Sequence, residues 1–255
     1  NLHRNATIHP WWDRFEKVGM ISDQENEAAV ARMRNIWTAA RRLRDAWADG
    51  ASCAPVRELI GGEDIEAAYA VQNLNTAQWL ADGRRLVGRK IGATSKAIQE
   101  MMDVDFPDYG MLFADMQVEN AASVPVADLH QPFVEGEMAV VLKYDLKNRE
   151  VTLDEVADAI DYFLPAIEII DSRILGWDLR MPDTIADNAS ASHFVLGETK
   201  VALDDVDPFA ATMCIYKNAE AASQGDADVC LGSPLFALVG LAAEAVRQGR
   251  PLQAG

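Results

Sequence analysis

Apolar residues recur at helical spacing through Val30, Met33, Trp37, Ala40 and Trp47, and Asp49-Gly50 closes the run. This pattern predicts an amphipathic helix. Ser22 and Glu25, three apart at its head, have the spacing of a capping box. A second helix is predicted over "GGEDIEAAYAVQNLNTAQWLADG", between glycine punctuation at Gly61-Gly62 and at Gly83. The period changes at Leu86. "LVGRKIGATS" and "FVEGEMAVVLKYDL" read as strands, and "TLDEVADAIDYF" as a helix opened by the Thr152–Glu155 pair. "PAIEII" reads as a short apolar strand, after which a polar loop runs through Asp187 to "ASHFVLGE". "SPLFALVGLAAEAVRQG" is the last helix, stopped by Gly249 and Pro251. The first 21 residues have no clear period; Trp11 and Trp12 there suit docking on this chain or on a neighbouring subunit.

Strands and helices alternate without a regular βαβ rhythm or a dinucleotide fingerprint. The fold class expected is therefore α/β in the mixed, α+β sense, with a curled mixed sheet. Residues 1–85 form a mainly helical N-terminal region and residues 86–255 a second unit.

Composition narrows the function classes. The chain of 255 residues is 49% hydrophobic and 25% charged, which allows a sizeable core, and its formal net charge is −17. So acidic a chain is not expected to bind nucleic acid or an anionic membrane. Cys53, Cys214 and Cys230 are odd in number and far apart, which fits neither a disulfide framework nor a zinc site. With no apolar run of transmembrane length read and no signal-peptide pattern, a cytoplasmic location is expected.

One stretch asks for chemistry. In "VEGEMAVVL", Glu135 and Glu137 share a strand face, their roots roughly 7 Å apart, and Ala139 and Val141 continue that face as apolar. A solvated strand face has the same E-x-E pattern. Against it stand the apolar flank and a third carboxylate, Glu168, inside "PAIEII". Three acidic groups drawn together need a cation, and an all-oxygen ligand set suits Mg²⁺ or Mn²⁺ better than zinc.

Five motifs then carry a resemblance: "GRKIGATSKAIQ", "PDYGMLFADM", "QPFVEGEMAVVL", "LPAIEIIDSRI" and "DTIADNAS". In this order and spacing, from about residue 60 onward, the chain resembles the 2-keto-4-pentenoate hydratase family of the fumarylacetoacetase-like superfamily. The resemblance implies a fumarylacetoacetase C-terminal-domain-like curled sheet roll over residues 86–255, with flanking helices. It implies that Glu135, Glu137 and Glu168 hold the divalent metal and that Lys90 and Asp108 are catalytic. A lysine partly desolvated beside a metal is expected to have a lowered pKa and to shuttle protons. Arg89 and Ser190 are the expected substrate-binding residues, with Asp187 and Asn188 near Ser190. Asp115 ranks lower, and Ser172 and Arg173 read as structural support. The four histidines form no metal-like cluster, and Trp177, Met101 and Met102 read as packing.

The reaction implied is hydration of 2-hydroxypenta-2,4-dienoate, or a close analogue, to 4-hydroxy-2-oxopentanoate in meta-cleavage degradation of aromatic compounds. The implied substrate is a small 2-oxo or 2-hydroxy-dienoic acid, and the implied assembly a homo-oligomer, alone or with a related decarboxylase or hydratase. A rival, 4-oxalocrotonate decarboxylase, shares fold, metal and much of the motif set. The "GRKIG" motif and Asp108 are hydratase-like. A weakly active structural partner subunit is a further alternative. Three departures from the family bear on it. Residues 1–35 have no counterpart, and the chain stops at "GRPLQAG" where the family continues into closing strands. Ala93 and Gly136 replace a leucine and an alanine, changes expected to widen the pocket.

Overall fold

The structure, a computed structural model, describes residues 23–255. Trp11, Trp12 and the Ser22 cap lie outside the described residues. Three helices come first: α1 (Asp23–Asp49), the short α2 (Arg57–Ile60) and α3 (Ile65–Ala81). Helix α1 buries Ile36, Ala39, Ala40, Leu43 and Ala46, whereas Val30 and Trp37 of the expected stripe are 44% and 54% exposed. The face turned to the neighbouring helices combines Ile36 and Leu43 with alanines, which allow close approach. Asp64 caps α3 by accepting from the Ala67 amide, as a start-of-helix aspartate should.

The rest of the chain is built on strands. A two-stranded antiparallel ribbon pairs β1 (Leu86–Gly92) with β2 (Asp108–Phe113), separated by the short helix α4 (Lys96–Met101). A four-stranded mixed sheet has the order β3-β6-β5-β4, from β3 (Gln117–Val118), β4 (Phe133–Leu142), β5 (Ile160–Ile170) and β6 (Ala191–Leu196). Strand β3 runs parallel to β6, and the other pairs are antiparallel. Helix α5 (Leu153–Ala159) has the expected capping box, with the Glu155 amide donating to Thr152 Oγ1 and the Thr152 amide to Glu155 Oε2. It ends sooner than its pattern predicts. Ile160 to Phe163 leave it to pair with β4, because a β-branched and aromatic run gains more on the sheet than in another helical turn.

The polar loop read before "ASHFVLGE" contains a helix, α6 (Met181–Ala186). The hairpin of β7 (Thr212–Lys217) and β8 (Glu220–Asp226) precedes the last helix, α7 (Pro234–Arg247). The segment Ala227–Arg247 is long and apolar enough to cross a membrane by composition, contrary to the reading from the sequence. Its continuous α-helix covers only 14 residues, short of the roughly 20 a bilayer requires, and it buries Leu235, Leu238, Leu241 and Ala245 in the core.

One apolar cluster joins Ile36, Ala40, Leu43, Val71 and Tyr69 to Ile174, Met181 and Ile185, so the helical region and α6 share a core. Polar contacts reinforce the seam. Arg57 donates from its amide and its guanidinium to the buried Asp183 at 2.8 and 2.6 Å, and Gln72 Nε2 donates to the carbonyls of Tyr109 and Ile185. These anchors hold α6 against β2, and the candidate site lies beside them.

Candidate metal centre and active site

Strand alternation and register assemble the acidic group. Glu135 and Glu137 point to one face of β4, and Glu168 of β5 stands directly opposite Glu135. One carboxylate oxygen from each of the three residues lies within 4.8 Å of the others. Glu168 is 5% exposed, Glu137 is half-buried and Glu135 is exposed, so the cluster opens to solvent on the Glu135 side. Burial raises the pKa of Glu137 to about 7, with Glu168 and Glu135 adding to the rise and Lys90 opposing it. Glu168 is raised for the same primary reason. Its Oε1 is buried without a protein partner among the described residues. Convergent carboxylate oxygens, one of them orphaned, fit a hard divalent cation.

The β1–β2 ribbon supplies the other groups. Lys90 and Gly92 share one face of β1, and they stand opposite Gly110 and Asp108 of β2. The Lys90 ammonium lies 3.4 Å from Glu168 Oε2 and donates to the Ala189 carbonyl at 3.0 Å. Burial lowers its pKa, but Glu168, Asp108, Glu135 and Glu137 outweigh that, and the net effect is upward. Without a metal ion to offset them, these carboxylates favour the charged ammonium. Asp108 is 2% exposed and accepts from Thr184 Oγ1 at 2.9 Å. A Cβ on Gly92 would fall 2.3 Å from Asp108 Oδ1 and 3.2 Å from Lys90 Nζ. Asp108 and Lys90 thus flank the space that the glycine leaves open. The ion pair of Lys90 goes to Glu168 rather than to Asp108.

A backbone turn completes the site. Asn188, Ala189 and Ser190 all have positive φ, at 58°, 52° and 53°, one after another. Left-handed residues other than glycine are costly, at about 1–2 kcal/mol each, and persist only where the surroundings impose them. Here Asn188 bonds through both ends of its amide to the Met111 backbone, and Asp187 is gripped by Arg173. The Arg173–Asp187 pair is buried, at 2.6 Å, and Ser172 Oγ and the Arg173 amide also donate to that carboxylate. The turn aims the Ala189 carbonyl at Lys90. Ser190 Oγ is buried with no protein partner among the described residues.

Other residues singled out from the sequence lie elsewhere. Arg89 occupies the opposite face of β1 from Lys90 and donates to the carbonyls of Gly88 and Arg250. Burial and neighbouring Arg250 lower its pKa to about 10, and it is not brought to the carboxylates. Asp115 pairs at the surface with Arg84, 2.8 Å away. Asp187 and Asn188 support the turn, as Ser172 and Arg173 do. His130 bonds to Asp171 and to the Ala46 carbonyl, outside the cluster. Trp177 packs edge-on against Phe133. Gly136 faces away from the carboxylates, and a Cβ there would meet Met213 Sδ at 2.5 Å and Ile215 at 3.1 Å. It seats the β7 hairpin and does not widen the pocket. Ala93 has a φ of 52°, which a leucine would tolerate no better. The left-handed turn and Thr184 were missed: an Asn in "ADNAS" hints at a left-handed residue, but nothing in the sequence marks the alanine and serine after it.

Comparison with known proteins places the chain in a family. Residues 85–255 match the family model described as fumarylacetoacetate (FAA) hydrolase C-terminal. A 2-keto-4-pentenoate hydratase of Dechloromonas aromatica is 50% identical over 217 residues, 85% of this chain and 82% of its own length. The TodF product hydratase of Pseudomonas putida is 47% identical over 230 residues, 90% of this chain and 86% of its own. Among solved structures, 4-oxalocrotonate decarboxylase from Pseudomonas putida G7, complexed with magnesium and adipate, superposes with a TM-score of 0.83 at 30% identity. That match covers 88% of this chain and 85% of the decarboxylase. With the acidic cluster, the mixed sheet and these matches together, the chain belongs to the fumarylacetoacetate hydrolase C-terminal family.

Proposed function

We propose that this chain is a divalent-metal-dependent hydratase that adds water to 2-hydroxypenta-2,4-dienoate or a close analogue, forming 4-hydroxy-2-oxopentanoate. The observation that carries the reading is the meeting of Glu135, Glu137 and Glu168 within 4.8 Å, with Lys90 beside Glu168. Identity of 50% to a named hydratase, against 30% to the decarboxylase, favours hydration over loss of CO₂. The presence of Asp108 favours it too, because placing water demands more proton transfers than decarboxylation.

Glu135, Glu137 and Glu168 would hold Mg²⁺ or Mn²⁺, which supplies Lewis acidity for the substrate's C1 carboxylate and C2 oxygen. Lys90, fixed by Glu168 and the Ala189 carbonyl, provides the cation that the substrate carboxylate, and the charge developing as its 2-hydroxyl ionises, need in a site of net negative charge. Ser190 Oγ, without a protein partner among the described residues, is available to donate to the substrate carboxylate. Lys90 and Asp108 handle the protons. The 2-hydroxyl proton leaves and a proton is delivered to C5, giving a ketone conjugated to the C3=C4 bond. Water then adds at C4, and a proton at C3 completes the product. Exposed apolar side chains, Trp37 among them, support assembly into a homo-oligomer.

The test is ultraviolet-monitored loss of 2-hydroxypenta-2,4-dienoate with Mg²⁺, with Mn²⁺ and with a chelator, with product identification. Lys90→Met and Asp108→Asn are each expected to lower kcat by about 100-fold or more. Release of CO₂ from 4-oxalocrotonate without hydration of the dienoate would move the assignment to the decarboxylase.

A further inference from the structure

We propose that Thr184 is a positioning residue for Asp108: its hydroxyl holds one carboxylate oxygen and so commits the other to the reacting face. The inference rests on the hydratase reading for its catalytic consequence, and on geometry for its structural one.

Thr184 lies in α6 and is buried, as Asp108 is. A helical threonine ordinarily turns its hydroxyl back to the carbonyl three or four residues earlier. In this chain it points across to β2 and donates to Asp108 Oδ2 at 2.9 Å. The threonine hydroxyl is the donor and the carboxylate oxygen the acceptor in this bond. Rotation about the terminal Asp torsion is otherwise soft and roughly two-fold. With Oδ2 held, Oδ1 is the oxygen over Gly92, on the same side as Lys90 Nζ. It is the oxygen left to accept or give a proton.

The same short segment serves the lysine. Helix α6 runs directly into the left-handed turn whose Ala189 carbonyl receives the Lys90 ammonium. Residues 181–190 therefore set both proton-handling groups, one through a side-chain hydroxyl and one through a backbone carbonyl. The segment is itself held from two sides, by Arg57 on Asp183 and by Arg173 on Asp187. Thr184 is the member of this arrangement whose role is separable. Valine reproduces its shape without the hydroxyl, and serine keeps the hydroxyl with less bulk.

Thr184→Val and Thr184→Ser are compared with the unaltered full-length chain in dienoate turnover, Mg²⁺ affinity and thermal melting. Thr184→Val is expected to lower kcat about 10-fold or more with KM within about twofold, and Thr184→Ser to recover most of the loss. Mg²⁺ affinity should stay near that of the unaltered chain, while Thr184→Val should melt somewhat lower because Asp108 Oδ2 loses its buried donor. Unchanged kcat in Thr184→Val overturns the inference. Equal loss in both variants, or loss that tracks metal affinity, also overturns it, because it reports packing or a disturbed metal site. A crystal structure of Thr184→Val gives a readout independent of turnover. The Asp108 carboxylate should adopt a different orientation, and an unchanged orientation overturns the inference. If the unaltered chain hydrates no dienoate, the hydratase reading fails and this crystallographic comparison still decides Thr184.

Discussion

Glu135 and Glu168 are direct partners across the antiparallel register of β4 and β5. Like charges placed opposite each other on a sheet destabilise it, and Glu137 adds a third carboxylate to the same face. Among the described residues, Lys90 is the cation in ion-pair contact with this group, through Glu168. The arrangement trades stability for a place to bind positive charge.

Neutralising one carboxylate should therefore have opposite effects on folding and on binding. Glu137→Gln removes repulsion, so the metal-free variant is expected to melt higher than the unaltered chain. Its Mg²⁺ affinity should fall by about 10-fold or more, since a ligand charge is lost. Calorimetric melting and titration test both directions, and a metal-free variant that melts lower would contradict the repulsion argument.

The pH dependence follows from Glu137, whose carboxyl is raised from 4.5 to about 7 in the metal-free fold. Between those values the folded chain holds a proton that the unfolded chain has released. The stability this proton contributes is fully present below about 4.5 and is lost as pH rises through about 7. Melting of the chelator-treated protein is expected to decline across that window, as far as this group governs it. A divalent ion competes with the same proton, so Mg²⁺ affinity should rise from pH 5 to 7 and then level. Affinity that is flat with pH would place the ion elsewhere.

Two glycines on facing strands should separate site geometry from folding. Gly110→Ala sets a Cβ 2.5 Å from the Asn188 backbone carbonyl, which the left-handed turn cannot easily move. It is expected to destabilise by about 1–3 kcal/mol in chemical denaturation. Gly92→Ala meets the end of a side chain, Asp108 Oδ1, at 2.3 Å. It should displace the carboxylate and cut kcat by about 100-fold, with a smaller loss of stability.

Breaking the buried ion pair under the turn should be costly. Arg173→Met leaves Asp187 buried and deprived of its guanidinium, and a loss of about 3–5 kcal/mol is expected in urea denaturation. Arg173→Lys should rescue little, because the guanidinium bonds at once to the Asp187 side chain and to the Asp171 and Ala191 carbonyls.

Much of the site is readable from local pattern. A period of two puts Glu135 and Glu137 on one strand face whatever surrounds them, and an acid inside "PAIEII" is conspicuous because burial makes it expensive. Lys90 and Asp108 came with the resemblance, since a strand lysine and a turn aspartate carry no signal of their own. Helix ends announced by Thr152 and Gly83 were also legible, because caps and glycine stops act between neighbours in sequence.

Tertiary structure decided what sequence neighbours do not share. Whether Arg89 or Lys90 faces the carboxylates depends on which side of β1 is covered, and alternation alone leaves both faces open. The direction of the Lys90 pKa shift depends on four carboxylates gathered from three other strands. The left-handed run at Asn188, Ala189 and Ser190 is imposed by Arg173 and by the Met111 backbone, against the intrinsic preference of Ala189 and Ser190. Thr184 could be matched with Asp108 only after α6 was packed on β2. The sequence by itself determined the local periods, the caps and the acidic residues to be explained. Folding determined their partners, because electrostatics and backbone strain act through space and sum over residues distant along the chain.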